Sequence, residues 1–172
     1  MSNEVSFNAK YKPLFRRPRT RYKIVTGGRG SGKSYAISSA LVCDTYNDDF
    51  NTLFTRYTMV SAHDSIIPEF TDKVELFNCE NDFHVTKRDV VNNVSGAGIL
   101  FRGLMVSSKN QVARLKSIAK VKRFIIDEAQ ELVDEALTEE HKALLADLET
   151  VTFSNVNSTG TVPAEPTVFW KG

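Results

Sequence analysis

The chain has 172 residues, with 22 lysines and arginines, 21 aspartates and glutamates, and two cysteines. This length suits about one globular domain, and no run approaches the roughly 18 apolar residues of a membrane span. The N-terminus lacks the apolar core of a signal peptide, and the spacing of the cysteines and histidines does not support a metal or redox site. We therefore expect a cytoplasmic protein with reduced thiols rather than a single disulfide, and with no membrane contact.

The first predicted segment is a basic N-terminal arm over residues 1–20, where Pro13 and Pro18 oppose regular structure. Basic side chains crowd this arm and the residues after it: Lys10, Lys12, Arg16, Arg17, Arg19, Arg21 and Lys23. A second basic tract lies at Lys109, Arg114, Lys116, Lys120, Lys122 and Arg123. Either tract alone is typical of a solvated surface, and the two together are compatible with contact to DNA or RNA.

A strand, a glycine-rich loop and a helix are predicted after the arm. Residues 22–26 are β-prone, and residues 34–46 have apolar side chains at helical spacing. Between them, Gly27-Gly28-Arg29-Gly30-Ser31-Gly32-Lys33-Ser34 fits the pattern G-x-x-x-x-G-K-S/T. Because a strand precedes this segment and a helix follows it, the pattern predicts a phosphate-binding loop rather than a flexible turn. We refer to residues 27–34 as the P-loop.

The residue types of the P-loop suit a nucleoside triphosphate. Glycines let backbone N–H groups converge on phosphate oxygens, and the next helix adds its positive N-terminal end. Lys33 is expected to reach the β- and γ-phosphates, and the Ser34 hydroxyl is expected to bind Mg²⁺. Arg29 could contact the γ-phosphate as an arginine finger supplied in cis, or lie exposed on the loop, and the sequence leaves both open.

Strands and helices continue to alternate along the chain. Strands are predicted over 52–57, 83–86, 90–91, 99–102 and 122–126, and helices over 63–77 and 132–148. Pro68 suits the first turn of its helix better than the middle, so the start of that helix is left open. This alternation predicts an α/β fold in which helices flank a mostly parallel sheet. With the P-loop motif after its first strand, the chain resembles P-loop NTPases of the RecA-like type.

The predicted strand over 122–126 ends in two acids, Asp127 and Glu128. Ligands of open α/β sheets bind at the carboxyl ends of the strands. Asp127 there can hold Mg²⁺ opposite Ser34, and Glu128 can orient an attacking water. The alternative is a pair of solvated acids that cap the next helix. The P-loop upstream favours the functional interpretation, and the second acid favours hydrolysis over phosphoryl transfer to a small acceptor.

The segment from residue 151 onward differs in composition. It is polar and turn-prone up to residue 160, and Pro163 and Pro166 follow. We therefore divide the chain into a basic arm (1–20), a P-loop ATPase domain (21–150) and a C-terminal tail (151–172). The tail is expected to be either partly disordered or a short hairpin that caps the domain.

Taken together, these motifs resemble the ATPase domain of the large terminase subunit, the DNA-packaging motor of tailed bacteriophages. The resemblance covers residues 20 to about 135 and rests on the segments 22–35, 101–104, 114–117 and 124–129. It implies an ATPase that uses ATP and Mg²⁺ and couples hydrolysis to translocation of double-stranded DNA into a procapsid. The partners that it implies are double-stranded DNA, a portal protein, a small terminase subunit and further copies in a ring.

The resemblance also assigns roles to residues. It implies that Lys33 and Ser34 bind phosphates and Mg²⁺, that Asp127 binds the metal, and that Glu128 is the catalytic carboxylate. It supports Arg29 as a cis-acting arginine. The candidate nucleotide-binding residues are then Tyr22, Gly27, Gly28, Arg29, Gly30, Ser31, Gly32, Lys33 and Ser34, with adenine expected among Tyr11, Phe15, Arg21 and Tyr22.

Two features depart from the family pattern. The C-terminal nuclease domain of the family has no counterpart in these 172 residues, so no DNA cleavage is expected from them. The coupling motif of the family has its nearest candidate in Thr152-Phe153-Ser154-Asn155, which lacks the usual proline. Three alternatives therefore stay open: a nucleotide-binding or assembly module without turnover, a P-loop small-molecule kinase, and a helicase-like ATPase.

Overall fold

The computed structural model of the chain describes residues 5–16, 22–28, 30–56, 58, 65–104, 120–129, 150–154 and 167–171. The strands in these ranges are β1 (Tyr22–Thr26), β2 (Asn51–Arg56), β3 (Phe83–Val85), β4 (Asp89–Asn92), β5 (Gly98–Gly103), β6 (Val121–Ile126), β7 (Thr150–Ser154) and β8 (Thr167–Lys171). In this described part of the chain they form one sheet, in the order β3-β4-β5-β2-β6-β7-β1-β8.

The centre of the sheet is parallel and its edges are antiparallel. Strands β5, β2, β6, β7 and β1 run parallel to their neighbours in this order. Strand β8 pairs antiparallel with β1, and the hairpin of β3 and β4 joins β5 antiparallel at the other side. Parallel neighbours need crossover connections, which explains why strands alternate with helices along the chain. The predicted α/β fold with a mostly parallel sheet is confirmed.

Two described α-helices accompany the sheet. Helix α1 (Lys33–Thr45) follows the P-loop, and helix α2 (Ile67–Leu76) follows β2. Pro68 lies in the first turn of α2, where its missing N–H leaves no intrahelical bond unmade. Shorter 3₁₀ turns span Ala9–Phe15 and Glu80–Asp82. The helix predicted over 132–148 lies outside the described residues, and no described helix has the length and apolar character needed to cross a bilayer.

An aromatic cluster joins α2 to the sheet. Phe54 of β2, Phe101 of β5 and Phe70 of α2 are buried together. Their ring centroids lie 5.2 Å to 5.9 Å apart, within the range in which tilted and edge-to-face aromatic pairs attract. The apolar residues of α1 belong to the same core. This packing fixes β2 between its neighbours and thereby fixes the carboxyl end of β2.

The segment predicted as a tail contributes two strands to the sheet. Strand β7 lies between β6 and β1 and pairs parallel with both. Strand β8 lies on the other side of β1, so β7 and β8 do not form a hairpin with each other. The sheet therefore continues into residues 151–172, because Thr150–Ser154 can supply backbone hydrogen bonds to both neighbours despite its polar composition.

Candidate functional site

The sheet brings the P-loop and the acid pair to the same end of the parallel strands. We call this carboxyl end of the sheet the P-loop edge. The P-loop follows β1, and Asp127 and Glu128 follow β6. Strands β1 and β6 are both parallel to β7, which lies between them. Their carboxyl ends therefore point the same way, roughly 10 Å apart, or two interstrand spacings. This is the edge at which open α/β sheets bind ligands.

The backbone of the P-loop turns sharply into α1. Gly30 has φ +78° and Gly32 has φ +84°, a left-handed conformation that residues with side chains rarely adopt. Gly32 is also the N-cap of α1, where no side chain accepts a hydrogen bond from the helix. The first N–H groups of a helix have no partner within it, so this end of α1 is suited to bind phosphate oxygens.

Lys33 is held inside the P-loop. Its side chain is buried, and its Nζ donates hydrogen bonds to Gly27 O at 2.7 Å, Gly28 O at 3.0 Å and Ser31 Oγ at 3.2 Å. Burial lowers the pKa of Lys33, and the carboxylates of Glu128 and Asp127 partly oppose this effect. The three acceptors of the Lys33 ammonium are neutral oxygens. Phosphate oxygens are charged and would attract the ammonium more strongly.

The two acids differ in exposure and backbone conformation. Asp127 is 4% exposed, and its N–H donates to Thr55 O at 2.8 Å, which extends the pairing of β6 with β2 by one step. Glu128 is partly exposed and has φ +53°. Such a left-handed backbone is uncommon for a residue other than glycine, asparagine or aspartate, and it clusters at functional sites. The chain thus turns abruptly where the predicted catalytic carboxylate lies.

An arginine that the sequence analysis did not single out contacts both acids. Arg56, the last residue of β2, donates from Nε to Asp127 Oδ2 at 3.0 Å and from Nη2 to Glu128 Oε1 at 3.3 Å. Its third nitrogen, Nη1, donates to Ser65 Oγ at 2.8 Å. One sequence signal was available: Arg56 lies within the predicted strand 52–57, and a charged residue that is buried in a core strand is usually paired.

The oxygen donors at this edge fit Mg²⁺. The carboxylate of Asp127 and the hydroxyl of Ser34, the second residue of α1, are the hard oxygen ligands that this ion prefers. In the described ranges, no three side chains of histidine, cysteine, aspartate or glutamate converge to form a metal cluster. A site with few protein ligands is the usual arrangement for Mg²⁺, which takes the rest from phosphates and water.

The remaining candidate residues stay predictions, and the structure describes only some of them. Arg29 lies outside the described residues, and so does Arg21. Tyr22 is the first residue of β1 and pairs with Val151 and Lys171. Tyr11 is buried, and its hydroxyl donates to Ser31 O at 2.9 Å. The Tyr11 hydroxyl thus contacts the P-loop itself, while the position of an adenine stays a prediction.

Comparison with known proteins identifies the family of the chain. The family model described as phage terminase large subunit matches residues 19–159. A comparison with curated protein sequences gives no match. Among solved structures, the chain is similar to the large terminase of a thermophilic bacteriophage, with a TM-score of 0.67 and 12% identity, over 87% of this chain and 39% of that chain. We refer to that protein as the thermophilic-phage terminase.

Two further structures show the same fold. The ATPase domain of the Thermus phage P74-26 large terminase has a TM-score of 0.62 and 18% identity, over 90% of this chain and 67% of that domain. The thermophilic-phage terminase in complex with ADP has a TM-score of 0.61 and 14% identity, over 87% of this chain and 38% of that chain. The chain thus spans about two fifths of the thermophilic-phage terminase. Because the family model covers most of its residues, including the P-loop and the acid pair, the chain belongs to the phage terminase large subunit family.

Proposed function

We propose that this protein is the Mg²⁺-dependent ATPase part of a phage DNA-packaging motor and couples ATP hydrolysis to translocation of double-stranded DNA. One observation supports this above all. The sheet brings the P-loop after β1 and the acid pair after β6 to one edge, in a chain of the terminase family. The related thermophilic-phage terminase has been solved with ADP, which supports a nucleotide as the ligand.

The residues at this edge divide the chemistry between them. The N–H groups of the P-loop and of the first turn of α1 bind the phosphates, and the Lys33 ammonium moves from the loop carbonyls to the β- and γ-phosphates. Ser34 and Asp127 hold Mg²⁺, which when bound neutralises charge on the phosphate oxygens. Glu128 orients the attacking water and accepts its proton.

Further contacts with the nucleotide are proposed from position. Arg29 lies between Gly28 and Gly30 in the P-loop, where a guanidinium can reach the γ-phosphate in cis. Tyr22 starts the strand that leads into the loop, and we propose that it lies near the nucleoside. The remaining glycines and Ser31 bring the backbone close to the phosphates.

The proposed partners follow from the family rather than from the site. Double-stranded DNA is the substrate that the motor moves, and a portal protein, a small terminase subunit and further copies of the chain in a ring are the proposed assembly partners. The proposed place of action is the host cytoplasm. These proposals apply to a whole terminase, and the chain spans only a part of the thermophilic-phage terminase.

Steady-state phosphate release with and without double-stranded DNA tests the proposed function. We expect ATP hydrolysis that requires Mg²⁺ and that DNA stimulates. Phosphorylation of a small metabolite in place of hydrolysis would identify a kinase. Tight ATP binding with no release of phosphate, with or without DNA, would identify a module that does not turn over. Either result would overturn the proposal.

A further inference from the structure

Arg56 connects the two acids of the site and has a fixed backbone. Its carbonyl accepts a hydrogen bond from Leu104 N at 2.8 Å, and the β2–β6 ladder continues beside it through the bond from Asp127 N to Thr55 O. The residue is therefore held from both sides, by β5 and by β6. Its side chain can change partners while its backbone stays in the sheet.

Three guanidinium contacts of Arg56 use its planar geometry. The Nε contact and the Nη2 contact lie on two different carboxylates, and the Nη1 contact lies on the Ser65 hydroxyl. A lysine has a single ammonium on a flexible stem and does not reproduce this arrangement. The contact with Asp127 is well shielded, because the side chains of Arg56 and Asp127 are 17% and 5% exposed.

The Asp127 contact conflicts with the proposed metal site. Arg56 Nε lies 3.0 Å from Asp127 Oδ2, so a cation already neutralises the carboxylate that is proposed to hold Mg²⁺. Two cations on one carboxylate repel each other, and in a partly buried site this repulsion is only weakly screened. Binding of Mg²⁺ therefore works against the Arg56–Asp127 pair, whereas the Arg56–Glu128 pair has no such conflict.

We propose that Arg56 is a positioning residue that exchanges partners during the reaction. Without nucleotide it neutralises Asp127 and Glu128 together. When Mg²⁺ and nucleotide bind, it yields Asp127 to the metal and keeps Glu128 oriented toward the water. This inference rests on the proposed function for the role of Glu128, while the competition between Arg56 and Mg²⁺ for Asp127 concerns binding alone.

Arg56→Gln separates the competition with Mg²⁺ at Asp127 from the orientation of Glu128. Loss of the competition should strengthen Mg²⁺ binding, whereas loss of the orientation should slow ATP turnover. Removing the competing cation should lower the Mg²⁺ concentration that half-saturates binding of a fluorescent ADP analogue, by about threefold or more. Turnover of ATP at saturating Mg²⁺ should fall by about 10- to 100-fold, because Glu128 loses the partner that orients it. A Mg²⁺ requirement that stays the same or rises would overturn the proposal.

Arg123→Gln is the matched control. Arg123 is also mostly buried and also pairs with two carboxylates, those of Asp44 and Asp48, at 3.2 Å and 2.9 Å. It lies in β6 toward the amino end of that strand, away from the P-loop edge. This variant should lose thermal stability without changing the Mg²⁺ requirement. An equal shift in both variants would show that the effect is general destabilisation and would overturn the proposal.

Arg56→Lys keeps the proposal testable if the glutamine variant does not fold. Lysine retains the charge but cannot hold both acids and Ser65 at once. We expect a folded protein with a Mg²⁺ requirement near that of the natural chain, a lower kcat and an unchanged KM for ATP. A kcat equal to that of the natural chain would overturn the positioning role. If the natural chain binds nucleotide without hydrolysing it, the proposed function fails, yet the Mg²⁺ titration still tests the competition at Asp127.

Discussion

Individual side chains at the P-loop edge are held in positions that a ligand would change. Lys33 Nζ lies on two backbone carbonyls and a hydroxyl of its own loop, while Arg56 lies on both acids. Each cation thus has an internal partner in place of the ligand or water. In the ligand-free protein these internal contacts limit the cost of burying the charges of Lys33 and Arg56. Binding of a phosphate chain and a metal would replace them with contacts of a similar kind.

Lys33→Ala should remove the charge that the phosphates attract. We expect nucleotide affinity to fall by about 10-fold or more, since a hydrogen bond to a charged group contributes about 1.5–3 kcal/mol. Titration with a fluorescent nucleotide measures this directly. Lys23→Ala is a matched control, because Lys23 is also buried and its Nζ donates to Pro13 O at 3.4 Å rather than to the P-loop. Unchanged affinity in Lys33→Ala would contradict the P-loop assignment.

Glu128→Gln should separate binding from turnover. The glutamine oxygen can still accept a hydrogen bond from Arg56, so we expect nucleotide binding to stay close to that of the natural chain. Loss of the general base should lower the rate of ATP hydrolysis by about 10²- to 10⁴-fold. Single-turnover phosphate release is the measurement. Asp48→Asn is the control, because Asp48 also pairs with an arginine, Arg123, but toward the amino end of β6. Normal hydrolysis in Glu128→Gln would mean that another group positions the water.

At the scale of the elements, predictability followed the strength of the local pattern. The sequence predicted strand β1 and helix α1 within one residue of their ends, because the P-loop motif requires a strand before it and a helix after it. Strand β7 was missed because its flanks are rich in serine, threonine and asparagine, which favour turns. The Arg56–Asp127 pair was missed for a different reason. Its partners are 71 residues apart, and only the pairing of β2 with β6 brings them together.

Thr152→Pro tests whether β7 is a central strand. Thr152 pairs with Lys23 of β1 and with Ile125 of β6, and proline there removes a ladder hydrogen bond inside the sheet. We expect a loss of about 1–3 kcal/mol, because the partner of the lost N–H is left unpaired, and this corresponds to a Tm lower by roughly 2–12 °C. Thr152→Val, which keeps the N–H and the branched Cβ, should melt close to the natural chain. Equal melting of the proline variant would place residue 152 outside the sheet.

At the scale of the whole molecule, exposed lysines and the acid pair lie at opposite ends of strand β6. The formal net charge is only +1, so attraction of the protein as a whole to DNA is weak and any contact depends on local basic tracts. The described end of the second tract, Lys120 and Lys122, is exposed and lies where β6 begins. Arg123 beside them is already paired with Asp44 and Asp48. The exposed lysines thus lie about 20 Å, the length of a six-residue strand, from the acid pair where β6 ends.

Binding to double-stranded DNA should therefore depend strongly on salt. If the basic tracts contact phosphates, the affinity for a labelled duplex should fall steeply between about 50 mM and 200 mM salt, because counterions are released on binding. Fluorescence anisotropy over this range gives the slope. Nucleotide binding at the P-loop edge, measured over the same range of salt concentration, should change far less. An affinity for DNA that is independent of salt would exclude these tracts as the contact.

The left-handed backbone at Glu128 sets two selective pressures against each other. At φ +53°, glycine or asparagine would relieve a strain of order 1–3 kcal/mol, so variants chosen for thermal stability alone should drift away from glutamate at this position. Neither replacement carries a carboxylate. A population selected for genome packaging should therefore keep glutamate at 128 while compensating mutations accumulate elsewhere, which makes this position a marker of whether a homologous chain is still under selection for catalysis.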